Sequence, residues 1–179
     1  SKAPKDGTVI AGTFPQALTE ALFGKRQRVK YKTNELTFIG SLNGEAYLCF
    51  VRSDAPVQTV KDLFTKELIV GSTGQGSSTT LSPALLRNML GMKFKVISGY
   101  RGSRQVTLAA IKNEVQGWCG MGFSSIKATV ADEFKKGTIK VLLQEGGTLG
   151  EQAKKLKLEL STAYAKTDPG KKKIGDIPF

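Results

Sequence analysis

Three segments rich in glycine and hydroxyl side chains carry the residues that could do chemistry: Gly71 to Ser78 (Gly-Ser-Thr-Gly-Gln-Gly-Ser-Ser), Gly99 to Ser103 (Gly-Tyr-Arg-Gly-Ser) and Gly120 to Ser125 (Gly-Met-Gly-Phe-Ser-Ser). Glycine lets backbone come close to a ligand, and hydroxyls such as that of Ser72 donate hydrogen bonds. A helix that begins just after such a loop points unpaired N–H groups and its positive end at it. That combination suits an anion. Arg101, with Arg104, adds full charge and a planar fork matched to a carboxylate, while Tyr100 and Trp118 offer aromatic walls. Trp118 and Cys119 stand inside an apolar run, so a place in the core is the competing reading for both.

Other chemistries fail on residue type. The chain has no His, which removes the usual general base, the commonest metal ligand and every Ser/His/Asp or Cys/His nucleophile arrangement. Gly71 and Gly76 have the spacing of a phosphate-binding P-loop, but Ser77 stands where its Lys is required. A dinucleotide fingerprint on Gly74 and Gly76 needs Gly or Ala where Thr79 stands. Cys49 and Cys119 are too few for a zinc cluster or a disulfide framework; one bridge could join them, and the preferred reading is two buried thiols. No cofactor and no metal are expected, and an anion-using enzyme such as a transferase is the least supported alternative, with no acid/base pair visible near the three loops.

The elements that must position these loops follow from periodicity. Leu68 to Gly71, Phe94 to Ile97, Val115 to Cys119 and Ile139 to Leu143 read as short strands. Between them, Leu81, Leu85, Leu86, Met89 and Leu90 share one helix face, Val106, Ala110 and Ile111 a second, and Ile126, Val130 and Phe134 a third. Pro83 fits a first helical turn and Ser103 a cap. Alternating strands and helices imply crossovers, hence a mainly parallel sheet with helices on both faces, whose strand-to-helix loops open on one edge. Upstream, Thr8 to Ala11 reads as a strand, Leu36 to Leu42 and Ala46 to Val51 as two buried strands, and Val60 to Phe64 as a helical turn.

Of the 179 residues, 40% are hydrophobic and 23% charged, proportions of a packed protein, and no apolar run approaches the roughly 18 residues of a membrane span. The 27 Lys and Arg against 15 acids give a net charge of +12, which attracts anions of any kind. The basic clusters at Lys25 to Lys32, Lys135 to Lys140, Lys154 to Lys157 and Lys171 to Lys173 are spread along the chain, and Tyr31, the one aromatic within them, is poor stacking material. A basic nucleic-acid-binding α/β domain is therefore the alternative function, not the first.

Gly71-Ser-Thr-Gly-Gln-Gly-Ser-Ser, Leu81, Gly91, Gly99-Tyr-Arg-Gly, Leu108, Glu114-Val and Ser124-Ser-Ile-Lys-Ala128, with Pro4-Lys-Asp-Gly-Thr-Val9 and Val51-Arg-Ser-Asp-Ala-Pro56 before them, resemble the substrate-binding receptors of tripartite tricarboxylate transporters, the Bug-type periplasmic binding proteins. The resemblance runs over about Pro4 to Gln144. It implies a type II periplasmic binding fold that closes on a small organic anion, often a carboxylate, and delivers it to membrane transporter subunits, with no nucleic acid as partner and no catalysis. It implies a periplasmic location, with the signal peptide absent from this chain. By position, Gly74, Gln75, Gly76 and Ser77 would bind one carboxylate, Tyr100, Arg101 and Gly102 stand at the family's Tyr-Lys-Gly, and Thr13 follows the first-lobe strand toward the cleft. Thr80 and Gly117 replace the family's usual His and Asp. The implied organisation is residues 1–35 as part of a first lobe, 36–138 as a complete second lobe bearing the ligand loops, and 139–179 as a return to the first lobe with a basic tail. That makes one complete lobe plus part of another, an incomplete chain.

Overall fold

A computed structural model describes residues 4, 6–12, 32, 35–40, 46–122, 124–125 and 129–145, and the chain divides into two units, Ser1–Gly44 and Glu45–Phe179. In the first unit the Asp6 carboxylate accepts bonds from the amide and hydroxyl of Thr8, at 3.0 and 2.6 Å, closing a turn at Gly7, whose φ of 83° suits glycine. Those bonds hold the Asp6 carboxyl below its ordinary range, the Thr8 hydroxyl contributing most. The expected strands at Thr8 to Ala11 and Leu36 to Leu42 do not form among the described residues. Val9, Ile10, Phe38 and Ile39 are exposed instead. A strand needs a partner ladder for its N–H and C=O groups, and no described residue supplies one. Thr13 lies outside the described residues.

The second unit holds a five-stranded sheet built from β1 (Tyr47–Arg52), β2 (Leu68–Ser72), β3 (Phe94–Ser98), β4 (Gly117–Gly122) and β5 (Ile139–Glu145), in the order β3-β2-β4-β1-β5. Strand β2 runs parallel to β3 and β4, while β1 is antiparallel to both β4 and β5. Four strands thus share one direction and β1 opposes them, so the sheet is mainly parallel as expected. Ile139–Glu145, where the sequence places a return to the first lobe, is an edge strand of this same sheet.

Helix α1 (Ser78–Leu90) joins β2 to β3, α2 (Ser103–Ile111) joins β3 to β4, and the short α3 (Ala131–Lys135) leads into β5. Pro83 stands six residues into α1 rather than in its first turn, so the Thr79 carbonyl has no N–H to receive four residues on. Gly91 ends α1 in the left-handed region, its amide bonding the Arg87 carbonyl at 3.1 Å. Gly102, not Ser103, caps α2, and no side chain closes that end. Of the third helical pattern, Val130 is the N-cap of α3 and Ile126 lies outside the described residues. Asp62 organises the turn Lys61–Phe64, accepting bonds from the Gln58 and Thr59 amides and from Lys66.

Alternation along the strands sorts the core onto two faces. One face packs Cys49, Val51, Val70, Cys119 and Leu143 beneath Leu86 of α1 and Val57, Val60 and Leu63 of the preceding turn. The other packs Leu48, Phe50, Trp118 and Met121 beneath Val106, Ala109 and Ala110 of α2. Both crossover helices therefore lie where a βαβ path requires, on opposite faces, and both begin at the same sheet edge.

Candidate functional site

At that edge the chain leaves β2 through a turn made almost wholly of its own hydroxyls. Ser72 and Thr79 are fully covered at its base, and Thr73, Gly74 and Ser77 are half-buried above them. The Thr79 hydroxyl accepts the Thr73 amide at 3.1 Å and lies 2.9 Å from the Ser77 hydroxyl, and the Ser72 and Thr80 hydroxyls are hydrogen-bonded to each other. Ser77 and Thr80 both donate to the Gly74 carbonyl, at 2.8 and 2.5 Å. Gly74 has φ 149° and Gly76 φ 82°, conformations that explain glycine at both positions. This lattice fixes the turn before any ligand arrives, so its donors need little reorganisation on binding.

The same lattice diverts the usual cap. Ser77 occupies the N-cap of α1 but makes no capping bond with its side chain, and the first turn contains no acidic residue. The opening amides of α1 and the positive end of its dipole are thus left to whatever approaches the turn.

The structure brings the second segment against the first. The Ser72 carbonyl accepts the amides of Gly99 and Tyr100, at 3.2 and 3.3 Å, so the loop after β3 is tied to the loop after β2. The Arg101 amide donates to the Gln105 side chain at 2.8 Å, and Arg101 itself is exposed beside the half-buried Gly102. Tyr100 packs over Gly71, its ring carbon 3.3 Å from where a Cβ on that glycine would stand. Its phenol lies 3.5 Å from the Glu114 carboxylate; burial, then the charge of Glu114, pushes the phenol pKa up. Strand β4 completes the floor. A Cβ on Gly120, whose φ is 72°, would stand 2.3 Å from the Ser78 carbonyl, so only glycine lets β4 pass directly beneath the start of α1.

Trp118 is placed elsewhere. It is fully buried on the α2 face, its ring stacked on Phe50 with centroids 5.2 Å apart, and its indole N–H has no hydrogen-bond partner among the described residues. An aromatic wall open to ligand is not its position; the core reading is the one its surroundings fit. Gln75 is exposed at the tip of the turn. The sheet edge therefore gathers Ser72, Gly74, Gln75, Gly76, Ser77, Tyr100, Arg101 and Gly102, and leaves Trp118 out.

Sequence reasoning missed a second group under the same helix. Cys49 and Cys119 form a disulfide between β1 and β4, not two free thiols. Facing strands place their side chains within bonding reach, a relation that sequence separation conceals. Beside the bridge stands Glu145, wholly buried at the end of β5. One of its oxygens accepts the Gly120 amide at 3.1 Å and lies 3.1 Å from the Cys49 sulfur, and the other accepts the Ser82 hydroxyl of α1. Burial pushes its carboxyl up to about 7, against the opposing pull of the Ser82 and Gly120 bonds. The only sequence signal was an apolar run, Ile139 to Leu143, that continues into Gln144 and Glu145 before two glycines.

With this geometry in hand, comparison with known proteins is informative at the level of fold. No family model and no curated protein sequence matches the chain. Among solved structures, a TctC solute-binding protein from Polaromonas, crystallised with no ligand, superposes with a TM-score of 0.65 at 19% identity, over 90% of this chain. The fold is that of a TctC solute-binding protein. This chain spans 59% of the length of that protein. Weaker likenesses are to an R. palustris protein with adipate (TM-score 0.48, 23% identity, 58% of this chain and 35% of that one) and to the periplasmic aliphatic sulphonate binding protein SsuA from Escherichia coli (TM-score 0.43, 18% identity, 75% and 45%). In the described residues no helix is long and apolar enough to cross a membrane.

Proposed function

We propose that this chain is an extracytoplasmic, periplasmic solute-binding protein that captures a small organic anion, a carboxylate, for a tripartite tricarboxylate-type membrane transporter, without catalysing a reaction. The observation that carries the reading is the uncapped start of α1, set in a prebuilt hydroxyl turn with no acidic residue in its first helical turn. The TctC-like fold supports the same reading. A carboxylate placed there would accept bonds from the Gly76, Ser78 and Thr79 amides, the Ser77 amide being held by the Gly74 carbonyl, and meet the Arg101 guanidinium from the neighbouring loop. The division into a second lobe bearing these loops and a first lobe formed by the flanking segments, with Thr13 facing the cleft, is part of this proposal.

Isothermal titration of the chain with mono-, di- and tricarboxylates, at low and physiological salt and with a short DNA duplex as control, tests it. Saturable binding of one carboxylate class that survives added salt is expected, weakened about tenfold or more by Arg101→Ala, because a hydrogen bond to a charged group contributes about 1.5–3 kcal/mol. Heat only with DNA, vanishing as salt rises, would replace this reading with nucleic-acid binding.

A further inference from the structure

The buried group under α1 has a composition that the anion site does not use. Cys119 on β4, Cys49 on β1 and Glu145 on β5 come from three adjacent strands and point to the same face of the sheet. Their two sulfurs and one carboxylate oxygen all lie within 4.8 Å of one another, and all three residues are buried. Two thiolates at about 2.3 Å and a carboxylate oxygen at about 2.0–2.2 Å from a tetrahedral zinc ion are separated by about 3.5–3.8 Å, so the two sulfurs, bonded to each other here, have to part to that spacing once the bridge is reduced. The carboxylate contacts among the described residues are two neutral donors, Ser82 and Gly120, and the Cys49 sulfur; no cation faces it. A buried carboxylate without a cationic partner must hold a proton or find a cation. Two cysteines alone fall short of a metal site, and Glu145 is the third ligand that the sequence did not disclose.

We propose that, once the Cys49–Cys119 disulfide is reduced, Cys49, Cys119 and Glu145 form a buried site for one thiophilic divalent cation of the zinc and cadmium class, with the Ser82 hydroxyl beside the fourth position. The disulfide and the cation then compete for the same two sulfurs. With a phosphine as reductant, two electrons break the S–S bond, water supplies the oxygen of the phosphine oxide, and its two protons become the thiol hydrogens. Binding of the cation forms two sulfur–metal bonds and one oxygen–metal bond, and releases the thiol protons, with any on the carboxyl, to solvent. The bound set carries two thiolates and a carboxylate against a double positive charge, leaving one negative charge close to the Ser82 and Gly120 donors. Thiolate ligands select zinc, cadmium and similar ions over magnesium and calcium.

The test is a cadmium titration of the full chain, reduced with a phosphine and refolded from urea without oxygen so that burial does not block access. The reduced chain is expected to show a thiolate-to-cadmium charge-transfer band that saturates at one equivalent, and the oxidised chain none. Glu145→Gln is expected to weaken binding at least about tenfold, the lower bound of what even outer-sphere changes do to metal affinity. Should that variant not fold, Cys119→Ser, which cannot close the bridge and lacks one sulfur, is expected to lose the one-equivalent band. The inference is overturned if the reduced chain shows no such band, if it stays unfolded with and without cadmium, if Glu145→Gln binds as tightly as the parent, or if Cys119→Ser keeps the one-equivalent site.

Discussion

The two faces of the sheet are built on different principles. Under α2 an apolar cluster centred on Trp118 and Phe50 dominates, and the buried Thr107 returns its hydroxyl to the Ser103 carbonyl of its own helix. Under α1 the apolar layer is interrupted at its upper end by the Ser72–Thr80 hydroxyl turn, the Glu145 carboxyl and the Cys49–Cys119 bridge. Hydrophobic burial dominates the α2 face. Polar groups that satisfy one another, and a covalent tie, accompany it on the α1 face, close to the start of the helix. The difference teaches that hydroxyls which bond one another leave the first amides of a helix without a side-chain cap.

Experiments that break this contrast have graded effects. The largest is expected from Gly120→Ala, since its Cβ would stand 2.3 Å from the Ser78 carbonyl at a backbone φ of 72°. Backbone on backbone cannot give way locally, so α1 must lift from β4. Urea denaturation is expected to show a loss of more than about 4 kcal/mol, in the range where a named defect is diagnostic. Next comes Trp118→Ala on the other face, about 3–5 kcal/mol by the same measurement, from lost burial and the cavity left behind. Trp118→Phe, which removes an indole N–H that has no partner among the described residues, is expected to cost far less, because leaving a buried donor unpaired itself costs about 1–3 kcal/mol.

Glu145 gives the α1 face a pH dependence that the α2 face lacks. Its carboxyl is raised from 4.5 to about 7 on folding. A raised acid holds its proton more tightly in the folded chain, so the stability it contributes is complete below pH 4.5 and is lost as pH rises through 7. The change over that window is about 3–4 kcal/mol at most, from about 1.4 kcal/mol per pH unit. Urea midpoints at pH 5 and pH 8 are expected to differ in the parent and to converge in Glu145→Gln. The smallest effect on stability is expected from Thr80→Val at the half-buried rim of the turn. It removes the bonds to the Gly74 carbonyl and the Ser72 hydroxyl, about 0.5–1.5 kcal/mol each, and is expected to weaken carboxylate binding by loosening the turn.

Much of this architecture could be read from the sequence because it is local. The runs at Leu68, Phe94 and Ile139 became β2, β3 and β5, and the glycine-hydroxyl segments marked where helices begin. The converging loops followed from parallel strands, which place successive strand ends at one edge, and Ser72 indeed bonds Gly99 and Tyr100. What sequence could not show was non-local. Cys49 and Cys119 are 70 residues apart, and only the antiparallel pairing of β1 with β4 makes them neighbours. Glu145 looked like a strand end because its burial depends on α1 folding over it. Trp118 looked like a candidate wall because alternation along β4 does not say which face meets the ligand edge. The apolar run at Leu36 has the composition of a strand, but composition cannot supply a hydrogen-bonding partner.

The central claim is that the start of α1 receives a carboxylate. The most direct test is amide nuclear magnetic resonance of the isotope-labelled chain during titration with the carboxylate class that calorimetry selects. The largest shifts are expected at Gly74 to Thr80, with smaller ones at Gly99 to Gly102 and none at Val106 to Ala110 under α2. Shifts confined to the lysine-rich segments, or spread evenly over the surface with the turn unmoved, would contradict it.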